Sequence, residues 1–128
     1  MRKVVTAVLK KDKKILIVKR GHLVNTFIGK WSCISGRVEG SPLESVLREI
    51  KEETGIPEGK VTLLKEGNPV IARGENLEFE IYPFLFEVKD ENIQLNWENT
   101  EYKWINPGKI TQYRTVPKLK EVIEAVLD

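Results

Sequence analysis

One segment in the middle of the chain carries complete start and stop signals for a helix. Ser41 is a good N-cap, Pro42 suits the first helical position, and Glu44 completes a capping box with Ser41. Gly55 supplies the stop signal, so we expect a helix over residues 42–54. The apolar residues of this segment recur at i, i+3, i+4 and i+7, at Leu43, Val46, Leu47 and Ile50. This spacing predicts a helix that packs one face onto a core.

The rest of the sequence alternates β-rich segments with turns. Residues 4–9 and 14–19 are aliphatic and β-branched on either side of a charged turn, which predicts a hairpin. Further strands are expected at residues 31–35, 61–65, 70–73, 77–88 and 103–105. Pro83 interrupts the longest of these strands, so it is expected at a bulge or an edge.

A second helix is predicted near the C-terminus, opening at Pro117. Its apolar residues also recur at i, i+3, i+4 and i+7, at Leu119, Val122, Ile123 and Val126. This stripe is most simply part of a core. Strands mixed with two helices indicate an α/β layered domain.

Length and composition limit the classes of protein that fit. With 128 residues, of which 41% are hydrophobic, residues 1–128 are expected to form one domain. The apolar runs are too short for a membrane span and the N-terminus does not read as a secretory signal, so we expect a cytoplasmic protein without a membrane partner. The formal charge of +2 is too balanced to predict general nucleic-acid binding. Because Cys33 and His22 are the only residues of their types, any metal must be held by oxygen.

Three glutamates share one side of the first predicted helix, away from its apolar face. At about 100° per residue, Glu49, Glu52 and Glu53 fall within an arc of roughly 100°. Like charges at i, i+4 and acids near a helix C-terminus both lower helix stability. One interpretation is a solvated surface helix in which Arg48 pairs with Glu52. The other is a site for Mg²⁺, which prefers carboxylate and phosphate oxygens, and periodicity alone leaves both open.

The sequence around this helix resembles the Nudix box, the signature of hydrolases that act on a nucleoside diphosphate linked to another moiety. Residues 36–56 read GRVEGSPLESVLREIKEETGI, and the second half matches the family pattern R-E-U-x-E-E-x-G-U at every fixed position. The first half departs from the pattern, because its loop is two residues short and the usual loop glutamate is missing, with Glu39 as a partial substitute. The resemblance extends over nearly the whole chain and implies the Nudix fold, an α/β/α sandwich with a central mixed β-sheet. More narrowly, the chain is similar to a microbial subgroup found alone or fused to a sugar-phosphate isomerase domain.

The resemblance implies a metal-dependent pyrophosphohydrolase. In this family Mg²⁺ or Mn²⁺ bridges enzyme carboxylates and a substrate diphosphate while water attacks one phosphorus, which agrees with the need to neutralise phosphate charge. By their match to the box, Glu49, Glu52 and Glu53 are expected to be metal ligands, and the backbone carbonyl of Ser35 joins them. Arg48 is expected to support catalysis by orienting a glutamate through a charge-assisted hydrogen bond.

The general base is left open among three acids. Glu98 is the downstream candidate, because family members with such a loop acid carry it at about this distance before a strand tryptophan, here Trp104. Glu101 and Glu53 are the alternatives, and an exposed loop acid without a catalytic role is the plainer interpretation of Glu98.

Cationic side chains are expected to bind the substrate phosphates. The candidates are Arg37, Arg20 and Arg73, each with a solvated surface cation as the alternative. The resemblance implies a small-molecule nucleotide diphosphate as the substrate, either an ADP-ribose-like nucleotide sugar or a nucleoside triphosphate, and a homodimer is common in the family. A second hypothesis is a catalytically weak or inactive Nudix-fold module that binds a nucleotide or RNA.

Overall fold

Alternating apolar residues build a central sheet that has a helix on each face. The structure, a computed structural model, describes residues 1–74, 76–89 and 92–127. Within these ranges the elements are, in chain order, β1 (Arg2–Lys11), β2 (Lys14–Arg20), β3 (Trp31–Ser32), β4 (Ile34–Arg37), α1 (Pro42–Thr54), β5 (Val61–Glu66), β6 (Val70–Gly74), β7 (Leu77–Val88), β8 (Asn99–Ile105) and α2 (Leu119–Val126). Two 3₁₀ turns lie at Glu58–Lys60 and Pro107–Gln112. None of the helices in the described part of the chain is long and apolar enough to cross a membrane.

The described strands belong to one mixed sheet. β1 and β7 pair in parallel at its centre, and the other strand pairs are antiparallel. The predicted hairpin is confirmed as β1–β2, with Lys11 opposite Lys14 at its closed end. The mixed sheet with few helices confirms the expected fold class.

β7 has the predicted bounds and lies inside the sheet. β1 pairs along one side of it, whereas β6 and β5 pair in succession along the other side. Pro83 falls between the last β6 pair, at Ile81, and the first β5 pair, at Phe84. The expected bulge or edge at Pro83 therefore takes the form of a break between two neighbouring strands.

The expected single strand at residues 31–35 is divided in two. β3 pairs with β2 and β4 pairs with β1, so the chain changes partner at Cys33. Cys33 is buried, and burial raises the pKa of its thiol to about 12. β4 leads directly into the loop before α1, and it therefore positions Gly36 beside that helix.

The side chains of β1 alternate between two cores, as the period of a strand requires. Val5, Ala7 and Leu9 pack with α1, whereas Val8 packs with α2. The buried residues of α2 are the predicted stripe, Leu119, Val122, Ile123 and Val126. α2 begins two residues after Pro117, because Lys118 takes a left-handed conformation with φ 67°.

The bounds predicted for α1 are confirmed. The Ser41 hydroxyl accepts a hydrogen bond from the Glu44 amide at 3.1 Å, and Gly55 ends the helix with φ 80°. Of the predicted apolar face, Val46 and Ile50 are buried, but Leu43 is 39% exposed. Leu43 belongs to the first turn and is outside the cluster of residues that pack α1 onto the sheet.

The contrast between Ile50 and Leu43 gives a test of the α1 packing. We expect Ile50→Ala to lower the free energy of unfolding by about 2–5 kcal/mol, because it removes buried methyl groups from a packed core. Leu43→Ala, on the same helix but exposed, should lower it by no more than about 1 kcal/mol. Urea unfolding followed by circular dichroism measures both values, and equal losses would contradict this packing.

Candidate metal centre and active site

Three carboxylates meet between α1 and the start of β8. One oxygen atom from each of Glu49, Glu53 and Glu98 lies within 4.8 Å of the other two. Glu49 and Glu53 are one turn apart on α1, and Glu98 immediately precedes β8. Glu49 and Glu53 are buried and Glu98 is half-buried. The fold therefore concentrates three acids at a place where little water can solvate them.

Burial and mutual repulsion disfavour the charged form of these acids. The pKa of Glu49 is raised to about 7, first by burial and then by the nearby charges of Glu52 and Glu98. The pKa of Glu53 is also raised well above its usual range, by burial and then by the charges of Glu98 and Glu49. Like charges that share a buried site raise one another's pKa in this way, and a bound cation reverses the effect.

Glu53 accepts a hydrogen bond from a protein N–H group on one oxygen only, and its carboxyl group also interacts with that of Glu49. The Asn99 side-chain amide donates to Oε1 of Glu53 at 3.0 Å. Oε2 of Glu53 is buried and has no hydrogen-bond partner among the described residues. A buried carboxylate oxygen without a partner is costly, so this atom is suited to a cation. A set of carboxylate oxygens fits a hard divalent cation such as Mg²⁺ or Mn²⁺.

Glu98 is held by its own loop. The Glu98 amide donates to Oδ1 of Asn96 at 3.0 Å, and Nδ2 of Asn96 donates to Oε1 of Glu98 at 3.2 Å. The Gly21 amide donates to the Glu98 carbonyl at 2.8 Å, and the Gln94 amide donates to the Thr54 carbonyl at 2.9 Å. The loop that carries Glu98 is therefore tied both to the end of β2 and to the end of α1.

Gly36 makes room for Glu49. Position 36 lies opposite Val5 of β1, on the face of the sheet that packs with α1. A Cβ atom at this position would overlap Cδ, Cγ and Oε1 of Glu49. A side chain at position 36 would therefore displace Glu49 from its place against the backbone of β4.

A cavity of about 530 Å³ opens beside the three acids. Glu49, Glu52 and Glu98 lie at its charged end, together with Arg37. One face of the sheet lines the cavity through Val4, Thr6, Ser35, Phe79 and Ile81. The cavity thus combines a charged end with an apolar wall, an arrangement typical of small-molecule sites.

Glu52 is not one of the three acids that meet, although its charge raises the pKa of Glu49. Glu52 lies on the exposed side of α1 and lines the cavity. Ser35, whose carbonyl is an expected ligand, also lines the cavity. Of the candidates for the general base, Glu98 and Glu53 are in the cluster, whereas Glu101 forms an ion pair with Lys19 at 3.4 Å.

Arg48 is paired with Glu39, and not with Glu52 as the surface-helix interpretation would have it. Its guanidinium lies 3.6 Å from Oε2 of Glu39 and donates to the Arg37 carbonyl at 3.5 Å. In the structure Arg48 therefore ties the loop before α1 to the helix. Its ion-pair partner is Glu39, the partial substitute for the usual loop acid, while its charge also lowers the pKa of Glu49 in the cluster.

The structure brings two of the three predicted phosphate-binding arginines to the cavity. Arg37 is exposed at its charged end, and Arg20 lines it while its guanidinium also donates to the Thr26 carbonyl at 2.9 Å. Arg73 is outside the lining residues and forms an ion pair with Glu78 at 2.7 Å. Because Ala72 faces the cavity, the next residue of the strand must face away from it.

Two residues of the site were not predicted from the sequence. Arg2 lines the cavity, on the same face of β1 as Val4. Asn99 contacts Glu53 from a position 46 residues further along the chain. Arg2 could have been predicted from the alternation of side chains along β1, which places it on the same face as Val4. The contact of Asn99 could not, because it depends on how β8 is placed against α1.

The close approach at Gly36 predicts a selective loss of cation binding. We expect Gly36→Ala to displace Glu49 and to weaken Mn²⁺ binding at least about tenfold, a loss typical of changes that misplace a metal ligand. Gly59→Ala is the matched control, since a Cβ atom at position 59 meets nothing within 4 Å. Isothermal titration calorimetry measures both affinities, and unchanged binding by Gly36→Ala would contradict the role of this glycine.

The raised pKa of Glu49 predicts how the stability of the metal-free chain depends on pH. Its pKa of about 7 in the folded chain exceeds the value of about 4.3 for an unfolded glutamate, so folding favours the protonated carboxyl. This contribution is complete below about pH 4 and is lost as the pH rises through 7.

We therefore expect the unfolding midpoint in urea, without divalent ions, to fall from about pH 5 to about pH 8. Glu49→Gln should reduce this decline because it removes one of the two acids whose pKa is raised, whereas Glu58→Gln, on an exposed turn, should not. The same decline in the parent chain and in Glu49→Gln would show that Glu49 is not its source.

Comparison with known proteins places the chain in a family. A family model described as the NUDIX domain matches residues 1–126. The asymmetrical bis(5'-nucleosyl)-tetraphosphatase of Sus scrofa is 33% identical over 105 residues, which cover 76% of this chain and 69% of that protein.

Solved structures show the same fold. A binary complex of a C. elegans Ap4A hydrolase has a TM-score of 0.83 at 14% identity, over 98% of this chain and 94% of that chain. The MutT protein from Methanosarcina mazei Go1 has a TM-score of 0.79 at 26% identity, over 96% of this chain and 90% of that chain. With its matching domain, relatives and fold, the chain belongs to the Nudix family and is a Nudix pyrophosphohydrolase.

Proposed function

We propose that the chain hydrolyses the diphosphate bond of a nucleoside diphosphate linked to another moiety, with Mg²⁺ or Mn²⁺ held by Glu49 and Glu53 and with Glu98 beside it. The observation that carries this proposal is the free, buried Oε2 of Glu53 inside a group of three carboxylates. A divalent cation satisfies that atom and removes the repulsion among the three acids. Glu52 and the carbonyl of Ser35, which line the adjoining cavity, are proposed as additional oxygen ligands.

The cation and the acids are proposed to have different roles in the hydrolysis. When bound, the cation neutralises charge on the substrate diphosphate, lowers the pKa of water and stabilises the leaving oxygen. Glu98 is proposed as the general base, because it is half-buried and lines the cavity, where it can accept the proton of the attacking water. Glu53 does not line the cavity, and Glu101 is paired with Lys19, so both are less suited to this role.

The positive groups of the cavity are proposed to bind the substrate phosphates. Arg37 is exposed beside the acids and is the first candidate, with Arg20 as the second. Arg73 is not retained as a candidate, since its side chain is 79% exposed and is paired with Glu78 away from the cavity lining. A guanidinium binds two phosphate oxygens at once, which aligns the diphosphate with the acids.

The apolar end of the cavity is proposed to hold a nucleobase. Phe79 and Ile81 line this part of the cavity, and Trp97, beside Glu98, is 63% exposed at its edge. Apolar and aromatic surface of this kind suits a flat base. Because the pig relative is named a bis(5'-nucleosyl)-tetraphosphatase, a dinucleoside tetraphosphate is the first substrate to test, followed by ADP-ribose and nucleoside triphosphates.

Three broader expectations stay predictions. They are a single domain over residues 1–128, a cytoplasmic location and a homodimer. The assignment to a subgroup found alone or fused to a sugar-phosphate isomerase domain also stays a prediction.

A nucleotide panel tests the proposed function. With Mg²⁺ present, we expect the parent chain to release nucleotide or phosphate products from at least one of the three substrate classes. Glu53→Gln and Glu98→Gln should lower kcat about 100-fold or more, because they remove a ligand and the base. Glu52→Gln, which changes a proposed additional ligand on the exposed side of α1, should lower it less, and Glu58→Gln on an exposed turn should leave it unchanged.

Two results would contradict the proposal. A parent chain that binds nucleotides but cleaves none of them would favour the nucleotide-binding module. Equal rates for the parent chain and Glu53→Gln would place the chemistry outside the three-carboxylate cluster.

A further inference from the structure

We infer that Asn99 is a positioning residue that holds one oxygen of Glu53 and leaves the other free for a cation. The inference rests on the proposed function, since it concerns the same cluster. Asn99 is 6% exposed, and its Nδ2 donates to Oε1 of Glu53 at 3.0 Å. Glu53 is 3% exposed, and its Oε2 has no hydrogen-bond partner in the described part of the chain.

A β-bulge determines where the side chain of Asn99 points. Lys19 of β2 pairs with Glu101, and the next residue, Arg20, pairs with Asn99. Thr100 is therefore an additional residue of β8 between two consecutive pairs. An extra residue of this kind reverses the side-chain alternation of the bulged strand.

The reversal brings Asn99 to the same side of the sheet as α1. Trp104 packs against the core below α1, whereas Ile105 packs in the opposite core, with α2. Regular alternation would place Asn99 on the side of Ile105, away from Glu53. Because of the bulge, Asn99 instead reaches across to Glu53 on α1.

The neutral amide of Asn99 suits a carboxylate that must bind a cation. A lysine or arginine at this place would orient Glu53 but would also neutralise its charge. The amide of Asn99 holds the carboxylate through Oε1 without adding a positive charge, and it leaves Oε2 without a protein donor. Metal-binding carboxylates are commonly held by such hydrogen bonds from neighbouring groups, and loss of the donor weakens the metal site.

Mn²⁺ titration of the full chain by isothermal titration calorimetry tests the inference. We expect Asn99→Ala to weaken Mn²⁺ binding about 10- to 100-fold, because Glu53 loses the group that orients it. Asn106→Ala is the matched control, since Oδ1 of Asn106 accepts a single hydrogen bond, from the Gly108 amide, beyond the other end of β8. Its affinity for Mn²⁺ should stay within about twofold of the parent value, because the cluster is untouched.

A double-mutant cycle separates positioning from a general structural effect. If Asn99 acts through Glu53, Asn99→Ala should cause no further loss of Mn²⁺ affinity in a Glu53→Gln background. The same loss in both backgrounds, or an unchanged affinity in the single variant, would overturn the inference and leave the proposed function intact. A parent chain that does not bind Mn²⁺ would instead overturn the proposed function, and this inference with it.

A measurement on the parent chain keeps the test independent of how well Asn99→Ala folds. The side-chain amide resonances of Asn99 in a ¹⁵N NMR spectrum should shift when Mg²⁺ is added, because the carboxylate that they contact binds the ion. The resonances of Asn106 should not shift. Resonances of Asn99 that stay unchanged at saturating Mg²⁺ would overturn the inference.

Discussion

Repulsion among three carboxylates is the constraint around which this structure is arranged. Glu49, Glu53 and Glu98 lie close together, and Glu49 and Glu53 are buried. Ionising all three without a cation is therefore energetically unfavourable. The raised pKa values of Glu49 and Glu53 reflect the free-energy cost of ionising these acids. A fold built for stability alone would separate these acids, whereas a fold built to bind a divalent cation must bring them together.

Three local features hold the acids in place. The capped helix α1 presents Glu49 and Glu53 from one side while its other face is anchored in the core. Gly36 leaves space for Glu49 against β4, and the bulge at Thr100 directs Asn99 toward Glu53. Each of these features helps to determine where a carboxylate oxygen lies. The cavity beside them is lined by the arginines proposed for the substrate phosphates and by the apolar wall proposed for a base.

The sequence predicts this structure well where the information is local. The caps at Ser41 and Gly55 define α1, and the box pattern identifies Glu49 and Glu53 before any coordinates are known. Prediction is weaker where strand register decides the outcome. Arg73 is expected at the phosphates, but it faces away because its neighbour Ala72 faces the cavity. Asn99 could not be identified at all, since its direction depends on a bulge that is visible only once β8 pairs with β2.

The most direct test of this account is anomalous diffraction from crystals soaked with Mn²⁺ and a non-hydrolysable nucleotide. We expect one strong anomalous peak within about 2.0–2.5 Å of carboxylate oxygens from Glu49 and Glu53, with Glu98 and the nucleotide phosphates beside it. Anomalous peaks elsewhere, with those three side chains bound only to water or to protein donors, would contradict it.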